Sequence, residues 1–485
     1  MRQPFQSENG HISLSEYQII ILTAVVVAGA AWAFGGRVDW APPILLILSA
    51  ITAVLSLVSS FRERRRWKVT AWLPAIVFAI LVACSLANPS LIPVNRGFDG
   101  WIERDNWIPW LPATIDRLST LAAAQPWMSA LLLGAALMQV SPGKQAVRLL
   151  WKILLVSGVL LTLAGFYFHL TNPAKIMGLV QSPYRHHFAS FIYRNHWSAY
   201  AVLLVTLSLG FTFGGVQKWI EGSGRLDRAL PGAVLALIIA TSVPLPGSRS
   251  GMVLMALLAI SGLAYFAWLL CRFRPSREQQ RRERNLAFAA LLLLGLGICI
   301  ALGIGAASFS DARSRTSEQW KLYEEGGYPD LRWPLIKDTL RVAQARPVYG
   351  WGLGTFGQVI PTYQGDYLRN GKNEITTRIF HAHCDWLELW AEIGLVGSLV
   401  LIIPPACLLW RGLRYGHAQV RWSLAGCILT GCYAWVEFPF RNPAVLLLWT
   451  TLVVTMSQYA KPGKESGRSD RDMAVMKCRQ RFQVR

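Results

Sequence analysis

The chain has 485 residues, of which 53% are hydrophobic and 15% charged, and its formal net charge is +21. Apolar runs of membrane-spanning length, roughly 20 residues each, recur along it and exclude an ordinary soluble enzyme. The basic excess does not require a nucleic-acid partner, because most of it is explained by membrane orientation, with membrane lipids as the expected contacts.

Twelve apolar runs predict an all-α polytopic membrane protein with about 12 transmembrane helices. The runs lie near 19–36, 43–60, 70–87, 124–141, 150–169, 197–214, 230–247, 251–271, 286–308, 389–410, 421–437 and 442–459. The predicted organisation is a first part (1–308) with nine spans and outer loops at 88–123 and 170–196, a helical lid loop at 309–388, three further spans (389–459), and a basic tail at 460–485.

The basic residues predict the orientation of these spans. One alternating set of loops carries 20 Lys and Arg residues, against 9 in the short loops of the opposite set. The C-terminal tail adds eight more on the first side. Both termini are therefore predicted to be cytoplasmic, and the lid loop is predicted to face the outside.

Two outer segments have local patterns of their own. The loop 88–123 contains three tryptophans, which predict anchoring at the membrane interface. In the lid loop, Ile336, Leu340 and Ala343 recur at helical spacing and predict a buried helix face. Two other arginines of this region, Arg341 and Arg346, are predicted to be solvated.

Four polar clusters are predicted at the outer surface, where basic residues are disfavoured unless they have a role. They are Arg185 to Trp197, Ser248 to Gly251, the lid-helix arginines beginning with Arg332, and His381 to Glu392. A pyrophosphate at the outer leaflet would explain them, because the planar guanidinium matches phosphate oxygens. Headgroup binding by Arg185 and Arg194, and a local capping role for Arg249, are the alternatives.

The fourth cluster, His381-Ala382-His383-Cys384-Asp385-Trp386-Leu387-Glu388, opens an apolar helix. Asp385 and Glu388 have the spacing of a capping box. His383 would then lie just before a helix N-terminus, which keeps its imidazole neutral and able to act as a general base. The alternative is a helix cap with an incidental histidine. Glu437 and Arg441 further along are predicted to pair with each other.

These motifs resemble the O-antigen ligase family of polytopic glycosyltransferases over roughly 185–445. Tyr193-Arg194-Asn195-His196-Trp197 is similar to the family's Asn-Arg-Asn-His-Phe segment, and Ser248-Arg249-Ser250-Gly251 to its Ser-Arg-Gly element. Arg332-Trp333 and the glycine-rich 346–356 resemble its lid helix and turn. His381 to Leu387 resembles its His-Ala-His-Asn-Asp-Tyr-Leu motif, with Cys384 in place of Asn, and Glu437-Phe438 stands where Asp-Phe is frequent.

The resemblance implies metal-independent, inverting transfer of a glycan from undecaprenyl pyrophosphate to an acceptor hydroxyl at the outer leaflet of the bacterial inner membrane, without a cofactor. It implies a catalytic role for His383, Arg332 and Arg249. It also implies substrate binding by Arg185, Arg194, Asn195, His196, His381 and Asp385.

The acceptor stays open at this point between lipid A-core, which the family name favours, a second lipid-linked repeat, and a protein hydroxyl. A transporter of lipid-linked sugars and a scaffold for an envelope assembly complex are the non-enzymatic alternatives. The absence of charged residues near the middle of the predicted spans argues against transport, because coupled transporters need such relays.

Overall fold

The computed structural model describes residues 12–93, 101–183, 186–221, 225–272, 332–365, 367 and 378–460. The helices in these ranges are α1 (Leu14–Trp32), α2 (Ala41–Arg62), α3 (Val69–Ala87), α4 (Arg117–Val140), α5 (Lys144–Thr171), α6 (Arg194–Ile220), α7 (Leu230–Ser242), α8 (Arg249–Arg272), α9 (Arg332–Ala345), α10 (Phe356–Tyr363), α11 (Asp385–Tyr415), α12 (Ala418–Tyr433) and α13 (Pro443–Tyr459). Two small antiparallel hairpins accompany them, β1 (Leu91–Pro93) with β2 (Trp101–Glu103), and β3 (Lys175–Ile176) with β4 (Val180–Gln181).

Eight of the described helices are long and apolar enough to cross a membrane, namely α1 to α6, α8 and α11, and α13 is a shorter apolar helix. The chain is thus an all-α membrane protein, as its composition predicts. The total of twelve spans stays a prediction, and the expected ninth span at 286–308 lies outside the described residues.

The boundary of α4 differs from the sequence prediction. This helix begins at Arg117, ahead of the apolar run that starts near 124, because Asp116 caps it. The Asp116 carboxylate accepts hydrogen bonds from the backbone N–H groups of Leu118 and Ser119, at 3.0 and 3.3 Å. An N-cap satisfies donors that have no partner inside the helix, so it extends the helix beyond its apolar stretch.

Helix α6 is the centre of the helix bundle. It packs against α5, α7, α8, α12 and α13, and nearly all its residues from Asn195 to Gly210 are buried. Small residues allow this close approach, as at Gly426, where an added Cβ would clash with Thr206. Hydroxyls within the helices bond to a carbonyl one turn earlier, as Thr162 does to Gly158 at 2.8 Å, which suits an interior without water.

The outer faces of the bundle are apolar. Helix α2 exposes Ile44, Ile47, Ile51, Val54 and Val58 along one stripe. In water such a stripe would be a liability, whereas lipid chains solvate it at no cost. A group of buried ionisable side chains lies instead at one end of the bundle, where α9, α10 and the segment between α12 and α13 meet the start of α11.

Candidate active site

The segment between α12 and α13 forms the centre of the polar end, and the buried ring of Phe438 is its hub. Phe438 stacks on Tyr193, with ring centroids 5.2 Å apart, and on His381 at 4.7 Å. The rings of His196 and His383 meet it edge to face, at 5.3 and 4.9 Å. One aromatic side chain therefore joins residues from two of the predicted clusters, which are far apart in the sequence.

Glu437 links the predicted base to a predicted arginine. Its Oε1 accepts a hydrogen bond of 2.5 Å from Nη2 of Arg332 at the start of α9. Its Oε2 lies 3.4 Å from Nδ1 of His383. Oε2 of Glu437 and Nδ1 of His383 are both buried, and neither has a hydrogen-bond partner elsewhere among the described residues. The carboxylate is almost fully buried, whereas the side chains of Arg332 and His383 are 39% and 31% exposed and reach solvent.

The backbone around His383 differs from the predicted capping box. The N-cap of α11 is Cys384, without a side-chain capping bond. Glu388 instead reaches back past the cap and accepts the N–H of Ala382 at 2.8 Å and His381 Nδ1 at 2.9 Å. His383 adopts a left-handed conformation with φ of 52°, which is uncommon for a residue with a side chain and characteristic of functional sites.

Arg441 holds a second, buried group of charges. Its guanidinium lies 2.6 Å from Glu392 and 3.0 Å from Glu388, with Asp385 at 4.0 Å. Burial alone would lower the pKa of Arg441, but these three carboxylates raise it further than burial lowers it. The predicted pair between Glu437 and Arg441 is therefore wrong: each of the two residues binds a different partner, and Asp385 also accepts the N–H of Phe440 at 2.7 Å.

The neighbouring His381 is held in its neutral form. Burial lowers the pKa of its imidazole, and the opposing effect of Glu388 is smaller. Arg441 and Arg37 lower this pKa further. The neutral ring donates its Nδ1 proton to Glu388 and supports the turn that carries His383.

A glycine-rich turn, 350–354, forms hydrogen bonds with α11. The helical backbone of α11 is interrupted at Gly394, whose φ of 64° and ψ of −173° are accessible essentially only to glycine. The carbonyls of Ala391 and Glu392 there accept hydrogen bonds from the N–H groups of Trp351 and Gly352, at 3.0 and 2.8 Å. In return, the N–H groups beyond the break donate to the carbonyls of Pro347 and Val348. The break thus fixes the lid to the helix that carries the site.

Helices α6 and α8 approach the same hub from the other side. His196 bonds through Nε2 to the carbonyl of Phe438 at 3.2 Å. The amide of Asn195 donates to the hydroxyl of Tyr193 at 3.0 Å and accepts from Ser248 at 2.7 Å. Burial and the Glu437 carboxylate raise the pKa of Tyr193, so its phenol stays protonated.

The other three arginines of the predicted site differ in where they lie. Arg249 is the first residue of α8 and is exposed, and its neighbour Ser250 bonds to Tyr433 at 2.8 Å. Arg194 is the first residue of α6, half-buried and beside Tyr193. Arg185 lies outside the described residues.

Two expectations for the lid helix are corrected. The buried face of α9 consists of Leu335, Asp338, Thr339, Val342 and Ala343, so the predicted face is wrong at Leu340, which is 36% exposed. Arg346 is not simply solvated, because it is half-buried between two tryptophan rings. Arg341 is 64% exposed, as predicted, and pairs with Asp338.

Sequence reasoning missed Phe438 as a hub, the separate partners of Glu437 and Arg441, and Arg37. Arg37 donates to the carbonyl of Arg441 at 3.1 Å. Its signal was available, since it is a basic residue in a loop on the side where such residues are disfavoured. Among the described ranges, no three His, Cys, Asp or Glu side chains are placed to hold a metal ion.

These features define a multi-spanning α-helical membrane protein with a histidine, arginine and carboxylate site at one end. Residues 234–402, from α7 into α11, match the family described as O-Antigen ligase. This match covers about a third of the chain, and the matched family consists of glycosyltransferase-type enzymes. The resemblance seen in the motifs is confirmed over these residues, whereas the motifs at 193–197 and 437–438 lie outside the match. No curated protein matches the chain.

Proposed function

We propose that the protein is a ligase-type glycosyltransferase, which moves a glycan from undecaprenyl pyrophosphate to an acceptor hydroxyl, with lipid A-core as the favoured acceptor. The observation that carries the proposal is the placement of His383 and Arg332 on the two oxygens of one buried carboxylate, Glu437. An acceptor base and a phosphate-binding cation are thereby held side by side, each with a solvent-exposed part.

His383 has the arrangement of a general base. When Nδ1–H points at Glu437, the neutral ring carries its lone pair on Nε2. This contact of 3.4 Å is longer than an ordinary hydrogen bond, and catalytic hydrogen bonds frequently tighten only when substrate binds. The carboxylate fixes the tautomer and stabilises the imidazolium that forms when the base takes a proton.

The proposed reaction is one displacement at the anomeric carbon. The acceptor oxygen gives its proton to Nε2 of His383 and forms the new bond to that carbon. The bond from the same carbon to the pyrophosphate oxygen breaks, and the leaving group keeps the electron pair. A single displacement inverts the configuration. The charge on the pyrophosphate is met by Arg332 and Arg249, with Arg194 and Arg185 as further cations.

Asn195, His196, His381 and Asp385 take positioning roles in this proposal, because their polar groups bond to the turns that carry the reacting residues. Arg332 and Arg249 would supply the electrostatic stabilisation that other transferases obtain from a metal ion. The site would face the periplasm from the inner membrane, since the loops predicted to lie on the opposite side carry most of the basic residues.

The test is reconstitution of the purified chain with undecaprenyl-pyrophosphate glycan, with and without lipid A-core, and separation of the products on a gel. Transfer that depends on lipid A-core supports a ligase, and lengthening of the lipid-linked glycan alone identifies a polymerase. Absence of any glycan product contradicts the proposal. His383→Ala and Arg332→Ala should each lower transfer by at least about 100-fold, the lower end of general acid–base and charge-stabilising contributions.

The chain offers matched control variants for both residues. His417→Ala and Arg411→Ala remove the same residue types from exposed positions at the opposite end of the bundle. Both controls should retain transfer close to that of the unmodified chain. If His383→Ala or Arg332→Ala behaves like its control while all four variants purify normally, the assigned roles are wrong.

A further inference from the structure

A cavity of about 670 Å³ lies outside the site, between the loop that follows α3 and the segment 345–351. This volume falls within the roughly 300–1,000 Å³ of known ligand pockets. The described residues that line it include Glu103, Trp107, Arg346, Tyr349, Trp351 and Tyr363. Aromatic rings and a few polar groups therefore share one concave surface.

The wall of this cavity is held rigid by stacking. The guanidinium of Arg346 lies 4.4 Å from the ring centroid of Trp107 and 4.0 Å from that of Trp351. It also donates to the hydroxyl of Ser90 at 2.9 Å. The indole N–H of Trp107 bonds to Glu103 at 2.8 Å. Aromatic side chains fixed in this way lose little conformational entropy when a ligand binds.

We infer that this cavity is a carbohydrate subsite, which binds sugar units of a glycan substrate away from the sugar that is transferred. The C–H groups on one face of a sugar ring carry partial positive charge and pack against the negative face of an aromatic ring. The hydroxyls at the ring edge match Glu103, Tyr363 and Thr362, all of which line the cavity. This inference rests on the proposed function for the identity of the glycan.

A lipid chain fits the same lining less well. An acyl or polyprenyl chain has no group to offer to Glu103 or Arg346, and burying these charged groups against hydrocarbon is costly. The two opposite charges nearly cancel, which favours a neutral sugar chain over an anionic headgroup. Sugar is thus the occupant that uses both the aromatic and the polar part of the wall.

The cavity is connected to the site by the break in α11. Pro347 and Val348, which line the cavity, accept backbone hydrogen bonds from Leu395 and Val396 beyond Gly394. Before the break, Glu392 pairs with Arg441 at 2.6 Å. A glycan held in the cavity would therefore be fixed relative to the helix that carries the site residues.

The first experiment measures binding without turnover. Oligosaccharides of one to four repeat units, released from the lipid-linked glycan of the producing cells, are titrated calorimetrically into the full chain in nanodiscs. Trp107→Ala should weaken binding by about tenfold, as expected for removal of an aromatic anchor. Trp107→Phe keeps an aromatic ring and should retain most of the affinity.

Trp110→Ala is the matched control, because Trp110 lies in the same loop but is 71% exposed. It should bind like the unmodified chain. Equal affinities for Trp107→Ala and Trp110→Ala would overturn the inference, and so would the absence of binding by the unmodified chain. Displacement of the sugar by undecaprenyl phosphate that carries no glycan would assign the cavity to lipid and overturn it as well.

A second arm measures transfer with donors, and separately acceptors, of increasing sugar length. Trp107→Ala should raise KM only for the substrate whose glycan occupies the cavity, and only above one repeat unit, which identifies the source. Sugar binding without any transfer would contradict the proposed function and leave the subsite standing. Transfer with neither a binding nor a KM difference between Trp107→Ala and Trp110→Ala would leave the function standing and remove the subsite.

Discussion

Two clusters built from the same residue types lie at either end of the short segment from Glu437 to Arg441. At one end, Arg441 is enclosed by three carboxylates and its side chain is 10% exposed, with His381 bonded to one of them. At the other end, Arg332 and His383 share one carboxylate and are 39% and 31% exposed. Histidine, arginine and glutamate thus occur in both clusters, but the two clusters differ in how exposed these side chains are and in how many charged groups contact the arginine.

This difference indicates different roles for the two clusters. Around Arg441 the carboxylates make short contacts to the guanidinium, to His381 and to backbone N–H groups, so little capacity remains for a substrate. Around Glu437 the histidine contact is long, and both partners keep an exposed part. The first cluster is a structural core for the loops. The second, which the proposed function makes the reactive cluster, keeps the exposed surface that a substrate would need.

Among the substitutions that test this comparison, removal of Arg441 should have the largest effect, which is a loss of stability. Arg441→Met leaves the carboxylates of Asp385, Glu388 and Glu392 buried without their cation, and breaking a buried ion pair in this way costs about 3–5 kcal/mol. The expected result is a large loss of folded protein, read as a lower thermal midpoint in detergent and a poor yield of monodisperse chain.

Arg411→Met is the control, since it removes an exposed arginine from the opposite end of the bundle. It should leave both readouts unchanged. A variant Arg441→Met that is as stable as the control but inactive would show that Arg441 belongs to the reactive cluster, and the division drawn between the two clusters would fail.

Glu437→Gln should have the next largest effect, and on chemistry instead of folding. The amide keeps the shape but removes the charge that holds Arg332 and would stabilise a protonated His383, so kcat should fall by about 100-fold or more. Glu437→Asp keeps the charge and should retain substantially more activity. Transfer that is equal in the two variants would separate Glu437 from the reaction.

The sequence predicted the parts of this arrangement that depend on local pattern. Apolar run length predicted an all-α membrane protein, and the motif around His383 predicted the start of α11 to within a residue. The partners of Glu437 and Arg441 could not be predicted, because four residues of separation allow a direct pair and only the fold brings Arg332 and Glu392 closer.

Two other differences depend on how the elements pack together. The pattern Ile336, Leu340, Ala343 is as periodic as Leu335, Thr339, Val342, and hydrophobicity alone favours the first, yet the buried face is the second pattern together with Ala343. The interruption of α11 at Gly394 could not be predicted from the sequence either, since a single glycine in an apolar helix is usually tolerated. Its role depends on the glycine-rich turn that supplies the missing hydrogen bonds.

A smaller effect is expected from pH, and it reports on His381. Burial holds the pKa of His381 below its ordinary 6.5, so below about pH 6.5 the unfolded chain binds a proton that the folded chain resists, and stability falls as pH falls. His381→Gln keeps a donor for Glu388 and should reduce this loss of thermal midpoint between pH 7.5 and 5.5. An unchanged pH dependence of stability would mean that His381 is not the group responsible.

The smallest effect is expected at Cys384, where the family pattern has Asn. The thiol is buried, and burial raises its pKa, so it is a poor nucleophile although it follows His383 directly. Cys384→Ser should therefore change kcat by less than about twofold and stability by no more than about 1 kcal/mol, the usual scale of a helix cap. A loss of transfer in a well-folded Cys384→Ser variant would place the sulfur among the reacting groups, and the reactive cluster would then extend from Glu437 and His383 into the start of α11.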